Sequence, residues 1–174
     1  MIVLTKGHKR KSHEHRADLA GEYKWGDTGQ IVLLVFFIVG MVADVVFLHS
    51  SGDLPEIVPW YVRLIGFIPG CLAAGYFIHK SHKKVFGEHR DTLSVIDTGI
   101  YSRLRHPMYF GSVLLYLSFV FVSLSVLAMS IFLVVLIFYY YLCRYEEKVL
   151  VEQLGDQYRQ YMSNVPMLIP QLRT

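Results

Sequence analysis

The feature that most constrains this chain is an apolar run of about 36 residues, from Met108 to Cys143. A helix needs only about 20 apolar residues to cross the hydrocarbon core of a bilayer. This run is therefore too long for a single crossing. Ser123 and Ser125 interrupt it near its middle, and we predict a tight hairpin there that divides the run into two membrane-spanning helices.

Two further apolar segments precede this run, from Gln30 to about His49 and from about Pro59 to Ile78. Each is long enough to cross a membrane, and a hydrophobic content of 53% is high for a soluble domain. We therefore predict an all-α polytopic membrane protein with about four transmembrane helices. Its parts are an N-terminal tail (residues 1–29), a transmembrane hairpin (residues 30–80) and a core with the remaining two spans (residues 81–174).

Lys and Arg residues predict the orientation of the spans. Six of them precede residue 30, six lie between Lys80 and Arg105, and four follow from Arg144 onward. The connections around residues 54 and 124 carry none. Because positively charged loops stay in the cytoplasm, we expect both termini on the cytoplasmic side.

The C-terminal segment has the pattern of an amphipathic helix. Between Tyr145 and Met162, apolar and aromatic residues recur at helical spacing; these are Leu150, Leu154, Tyr158 and Tyr161. Such a helix is expected to lie on the membrane surface. Gly155 weakens it, and Pro166 and Pro170 end it.

Other residues favour structural roles. Asp44 is costly in lipid and should face other helices, water or the end of its span. Cys71 and Cys143 lie in apolar spans, where we expect reduced thiols.

The histidines of the N-terminal tail lack the spacing of an ordered metal site, and we expect no metal. No basic stripe is interleaved with aromatic residues, so we expect no nucleic-acid partner.

Small and helix-bending residues recur in the second span: Gly66, Pro69, Gly70, Ala73, Ala74 and Gly75. They would let another helix backbone or a ligand come close. Packing between helices is the commoner reason for such a pattern, and a cofactor groove is the alternative.

Two polar motifs flank the long apolar run. Residues 99–111 read GIYSRLRHPMYFG, and Glu146 and Glu147 follow the run. Both motifs fall on the predicted cytoplasmic side, where they could face each other.

Two carboxylates at the C-terminal end of a helix oppose its dipole, which favours a cationic partner. Consecutive helical residues point about 100° apart, so the two glutamates suit two separate groups of one ligand. An ammonium, a sulfonium and ribose hydroxyls suit that pair, and Arg105 or His106 would suit a carboxylate; S-adenosylmethionine carries all of these groups.

The ordered set of motifs resembles a known family. GIYSRLRHPMYFG, then about 35 apolar residues, then YEEKVLVEQLGDQYRQYMSNVPMLIP resembles the core of isoprenylcysteine carboxyl methyltransferases and their phospholipid methyltransferase relatives. The resemblance covers about residues 82–170. It implies an integral membrane methyltransferase that uses S-adenosyl-L-methionine, with residues 81–174 as the cofactor-binding core.

The resemblance also implies a set of site residues. The cofactor-binding residues would be Tyr101, Arg105, His106, Pro107, Tyr109, Gly111, Glu146 and Glu147. Gly99 matches a framing position. The catalytic candidates are His106, Glu146 and Glu147, because a protonated amine or a thiol must lose a proton before it accepts a methyl group. Where many relatives carry an Arg before the final Pro, residues 167–169 here are Met-Leu-Ile.

The methyl acceptor stays open at this stage. The partner is expected to be a lipophilic or small amphiphilic molecule that reaches the site from the membrane lipids. An isoprenylcysteine carboxylate follows from the resemblance, with a phospholipid amine and a small thiol as alternatives. A non-catalytic four-helix membrane protein that retains the motif is the alternative of another class. A transporter would need polar residues along the spans, and only Asp44 lies well inside one.

Overall fold

The computed structural model describes residues 26–86 and 94–170, and within these ranges every regular element is helical. The predicted N-terminal tail, with its histidines, lies outside the described residues apart from its last four positions, and so does part of the polar segment before the first motif. The prediction of an all-α membrane protein is confirmed.

The described residues form six α-helices and two short helical segments of other types. They are α1 (Gly26–Ala43) with a π-helical continuation (Asp44–Leu48), α2 (Leu54–Ile57), α3 (Trp60–Phe86), a 3-10 turn (Gly99–Ser102), α4 (Pro107–Ser123), α5 (Val126–Leu154) and α6 (Asp156–Asn164).

Among the described residues, three helices are long and apolar enough to cross a membrane: Gly26–Leu48, Trp60–Val85 and Val126–Leu154. The remaining predicted span, the third in chain order, is α4, a shorter apolar helix of 17 residues. At 1.5 Å per residue it is about 26 Å long, against about 30 Å for a hydrocarbon core. The N-terminus of α4, where the first motif ends, is therefore expected to lie close to the membrane interface.

Helices α3 and α4 pack closely through small residues. Gly70 lies against Ser118, and a Cβ at Gly111 would come within 3.0 Å of the Ala74 carbonyl oxygen and 3.2 Å of the Ile78 nitrogen. Ala74 itself is fully buried. Of the small residues predicted to admit a neighbouring helix backbone, Gly70 and Ala74 thus serve helix packing, because only a side chain without bulk lets two backbones approach this closely. Gly75 faces open space instead.

Helix α1 packs against α5 and reaches α4. Gly40 faces Ile131, and Gly29 faces the ring of Phe138. Phe37 is 1% exposed and meets Tyr116 of α4 edge-on, with ring centroids 4.9 Å apart. The resulting core lies between α1, α4 and α5. The outer faces of α1, α3 and α5 stay apolar and exposed, as expected for helices in contact with lipid.

The predicted hairpin between the third and fourth spans is confirmed, and Asp44 stabilises it. The chain turns at Leu124, which has a left-handed φ of 51°. Asp44 is 1% exposed; its carboxylate accepts hydrogen bonds from the Ser125 hydroxyl, the Leu127 amide (3.1 Å) and the Ser50 amide (2.9 Å). The buried charge is thereby satisfied at the N-terminus of α5, where the helix dipole favours an anion. Asp44 faces protein, as expected for a charged residue in a span.

The C-terminal region differs from the predicted single helix over Tyr145–Met162. Helix α5 continues from the apolar run to Leu154, and Gly155, at a positive φ of 57°, separates it from α6. Tyr158 and Tyr161 of α6 are buried against Leu150, Val151 and Leu154 of α5 and against Val95. The apolar face of α6 therefore covers protein, since the turn at Gly155 folds this helix back onto the end of α5.

Candidate functional site

The two motifs meet at one end of the bundle. Pro107 opens α4, where its fixed φ suits the first helical position, so Arg105 and His106 stand immediately before the helix. Glu146 and Glu147 lie about two turns before the end of α5. The expectation that they oppose the dipole at a helix terminus is thus wrong, because α5 extends well beyond them. What surrounds their charges is decided by contacts with the first motif.

His106 lies between the two glutamates. Its Nε2 is 3.1 Å from Glu147 Oε1, which is hydrogen-bond distance, and its Nδ1 is 3.6 Å from Glu146 Oε2. His106 is 7% exposed and Glu147 2% exposed. A neutral imidazole can donate a proton from only one ring nitrogen, whereas a protonated one donates from both. Each ring nitrogen of His106 therefore faces a carboxylate that can accept a proton from it.

Arg105 forms an ion pair with the same carboxylate, with 2.8 Å between its Nη1 and Glu147 Oε1. The Nη1–H is poorly aligned for a hydrogen bond, and among the described residues the buried side-chain atoms without a hydrogen-bond partner are Arg105 Nε, Arg105 Nη1 and Glu147 Oε2. Buried polar atoms are nearly always satisfied in folded proteins. Because Nη1 is held in the ion pair, Arg105 Nε and Glu147 Oε2 are the donor and the acceptor that a polar ligand could complete.

Tyr109 connects the first motif to Glu146. It stands one turn into α4, and its hydroxyl donates a hydrogen bond to Glu146 Oε1. Its ring is nearly parallel to that of His106, with an interplanar angle of 12° and centroids 5.8 Å apart. Tyr109 therefore holds both the carboxylate and the imidazole in place.

The other predicted site residues have contacts within the fold. The Tyr101 hydroxyl is 2.5 Å from the Ser81 hydroxyl, which ties the 3-10 turn to α3. Gly99 begins this turn. Gly111 faces α3, where a side chain would meet backbone. Pro107 is fully buried. The contacts of Tyr101 and Gly111 are thus with α3, and not with the cluster of Arg105, His106 and the two glutamates.

Sequence reasoning missed two side chains beside this cluster. The ring of Tyr139 lies 5.5 Å from that of Tyr109, and its hydroxyl donates a 3.2 Å hydrogen bond to Gln30 Oε1 of α1. Tyr139 is seven residues before Glu146, so it lies on the same face of α5 two turns away. That spacing is the signal that could have identified Tyr139. The contact with Gln30 depends on how α1 packs.

Backbone atoms near the C-terminus also reach the first motif. The Arg105 amide donates to the Pro166 carbonyl (3.0 Å), and the His106 amide donates to the Met167 carbonyl (3.2 Å). The Tyr161 hydroxyl donates to the Tyr101 carbonyl (2.6 Å). Nothing in the residue types at 166 and 167 signals these contacts.

A separate cleft lies between α6 and the segment that leads into the 3-10 turn. It is lined by Ser94, Val95, Asp97, Ser102, Gln157, Gln160, Tyr161, Asn164 and Val165. None of the four clustered residues lines it, so this cleft is separate from the cluster. Burial raises the pKa of Tyr161 above its ordinary value, so this hydroxyl stays protonated beside the cleft.

Comparison with known proteins agrees with the motif analysis. Residues 73–157 match the family model for phospholipid methyltransferases, and this match confirms the resemblance to that group of membrane methyltransferases. The matched segment includes the end of α3, both motifs and the hairpin of α4 and α5, whereas α1 lies outside it. No curated protein matches the chain.

Proposed function

Because residues 73–157 match the phospholipid methyltransferases, we propose that this protein is an integral membrane methyltransferase that uses S-adenosyl-L-methionine. One observation carries the proposal: the two sequence motifs meet in a buried cluster that leaves an arginine and a glutamate with unpartnered polar atoms. Polar atoms in such a place are costly unless a ligand or water completes their hydrogen bonds.

The donor set fits the amino-acid end of S-adenosyl-L-methionine. Arg105 Nε is a cationic donor suited to its carboxylate, and Glu147 Oε2 is an anionic acceptor suited to its ammonium. Glu146 supplies a second carboxylate on the other side of His106. When bound, the cofactor supplies a methyl group on a sulfonium, which is already an activated electrophile.

The chain's own residues then have three tasks: to bind, to orient and to manage a proton. Arg105 and Glu147 bind through charge, and Tyr109 orients Glu146 by its hydrogen bond. His106 donates from Nε2 to the Glu147 carboxylate, so its Nδ1 is the ring nitrogen that can take up a proton when the acceptor must lose one. Burial of the cluster limits access of water, which strengthens each of these interactions.

The charge of the cluster favours an amine acceptor. Arg105 and Glu147 are assigned above to the carboxylate and the ammonium of the cofactor, which leaves Glu146 as the carboxylate available to the acceptor. An anionic acceptor would be repelled by Glu146, whereas a protonated amine is attracted to it. We therefore propose a phospholipid amine as the acceptor, ahead of the isoprenylcysteine carboxylate suggested by the motif resemblance and of a small thiol.

The membrane position suits a lipid acceptor. The cluster lies at the N-terminal end of α4, a helix about 4 Å shorter than a hydrocarbon core. A headgroup could thus reach it from the bilayer while the cofactor enters from water. The distribution of Lys and Arg supports a cytoplasmic location for this end of the bundle and for both termini.

Calorimetric titration of S-adenosylhomocysteine into the detergent-purified protein tests the cofactor site. We expect saturable binding that weakens about tenfold or more in Glu147→Gln, since a charged hydrogen bond is lost. Glu152→Gln, on an exposed position of the same helix, is the matched control and should bind like the parent. A folded parent without saturable binding would leave a non-catalytic membrane protein that retains the motif.

Methyl transfer from labelled S-adenosyl-L-methionine tests the acceptor. The protein is assayed with phosphatidylethanolamine, a prenylated cysteine and a small thiol, each in the same detergent. We expect label in the amine lipid. Label in the prenylated cysteine instead would contradict the charge argument while leaving the cofactor site intact.

A further inference from the structure

We propose that the tail segment, residues 165–167, is a positioning element of the site: its backbone carbonyls fix Arg105 and His106 for cofactor binding. This inference rests on the proposed function, and it adds to it a part of the chain that carries no catalytic side chain. The tail segment follows α6 and lies outside the matched residues 73–157.

The contacts are direct. The Arg105 amide donates to the Pro166 carbonyl and the His106 amide to the Met167 carbonyl, at 3.0 Å and 3.2 Å. His106 is the N-cap of α4, and no side chain caps this helix end. Backbone amides at and before a helix start have no partner inside the helix. The tail segment thus satisfies both amides and sets the path of the two residues whose side chains contact Glu147.

Packing of α6 holds the tail segment in place. Val165 is buried with Tyr158 and Tyr161 in one apolar cluster on the end of α5. The Tyr161 hydroxyl donates to the Tyr101 carbonyl, and the Tyr101 hydroxyl meets Ser81 of α3. Helix α6 is therefore anchored on α5 and on the 3-10 turn, and Val165, the first residue of the tail segment, is buried in the same cluster.

Helix α5 and the tail segment hold the first motif from two sides. Glu147 of α5 contacts the side chains of Arg105 and His106, and twenty residues later the Met167 carbonyl binds the His106 backbone. Without the tail segment, only the side-chain contacts with Glu147 would hold Arg105 and His106. The backbone of these two residues could then rotate, and the unpartnered atoms of Arg105 and Glu147 would move apart. Loss of the tail segment should therefore weaken cofactor binding without removing any group that binds the cofactor.

Two truncations test this inference. The first ends the chain after Val165, which removes the carbonyls of Pro166 and Met167 but keeps the apolar cluster. The control ends it after Pro170, which keeps the tail segment. Tyr161→Phe is a milder variant for the case in which the first truncation fails to fold, because it removes only the hydrogen bond to the Tyr101 carbonyl.

Hydrogen–deuterium exchange without cofactor measures whether the tail segment protects the backbone amides of Arg105 and His106. We expect the amides of residues 105 and 106 to exchange about tenfold faster in the chain ending at Val165 than in the chain ending at Pro170, since one hydrogen bond holds each. The interior amides of α4 should be unchanged. Equal exchange of residues 105 and 106 in the two chains would overturn the inference whatever the protein's function.

Titration of S-adenosylhomocysteine measures how loss of the tail segment changes the affinity for the cofactor product. We expect about a tenfold weaker dissociation constant in the chain ending at Val165 and parent affinity in the control. For Tyr161→Phe we expect faster exchange and weaker binding in the same direction. Faster exchange with unchanged affinity would refute a positioning role. No binding to the parent would refute the proposed function and this role with it, while the exchange result would still decide whether the contact forms.

Discussion

Replacing Glu147 by glutamine should destabilise the fold as well as weaken cofactor binding. The Glu147 side chain is 3% exposed, with Oε1 2.8 Å from Arg105 Nη1 and 3.1 Å from His106 Nε2. Glu147→Gln keeps the size of the side chain but removes the charge that compensates the buried guanidinium of Arg105.

The expected magnitude follows from this geometry. Removing one partner of a buried ion pair costs about 3–5 kcal/mol when the other charge stays uncompensated. The glutamine oxygen can still accept one hydrogen bond, which recovers about 1 kcal/mol. We therefore expect the free energy of unfolding to fall by about 2–4 kcal/mol, or the melting temperature by about 4–16 °C at 2–4 °C per kcal/mol for a chain of this size.

Thermal unfolding in detergent, followed by the helical circular dichroism signal, measures this loss. Glu152→Gln, at an exposed position of α5, is the control and should melt like the parent, since exposed substitutions usually change stability by less than about 0.5 kcal/mol. If Glu147→Gln melts no lower than this control, the buried pair with Arg105 does not form in the folded protein, and the reasoning about the site fails with it.

Three further outcomes are expected. Asp44→Asn should lower the free energy of unfolding by about 2–3 kcal/mol, because a charged acceptor of three hydrogen bonds at the hairpin is lost; denaturant titration in detergent would measure it, and an unchanged midpoint would contradict the assigned role. Gly111→Ala should cost about 1–3 kcal/mol through contact with the α3 backbone, whereas Gly75→Ala, which meets open space, should be neutral or slightly stabilising in the same melting assay. Burial raises the pKa of Tyr161, so the folded state favours its neutral form; docking of α6 should be complete below pH 10 and weaken as the pH rises above it. Limited proteolysis of α6 at pH 9 and pH 11 would follow this, with a smaller pH effect expected in Tyr161→Phe.

The sequence by itself determined the spans, the hairpin and the resemblance to membrane methyltransferases. Hydropathy and chain length are local properties, and the cost of burying a backbone in lipid leaves a long apolar run no alternative to helices. Ser123 and Ser125 marked the turn because a 36-residue run cannot cross once. The order of the two motifs was also sufficient to identify the group of methyltransferases that the family match supports.

Only the tertiary structure decided how the motifs meet. The placement of Glu146 and Glu147 on opposite sides of His106 depends on how α4 and α5 pack. The contact of Tyr139 with Gln30 depends on α1, which is more than a hundred residues away in the chain. The docking of residues 166 and 167 on the first motif uses backbone carbonyls. Every residue has such a carbonyl, so side-chain identity cannot reveal which ones are used, and only the packing of distant helices brings these atoms together.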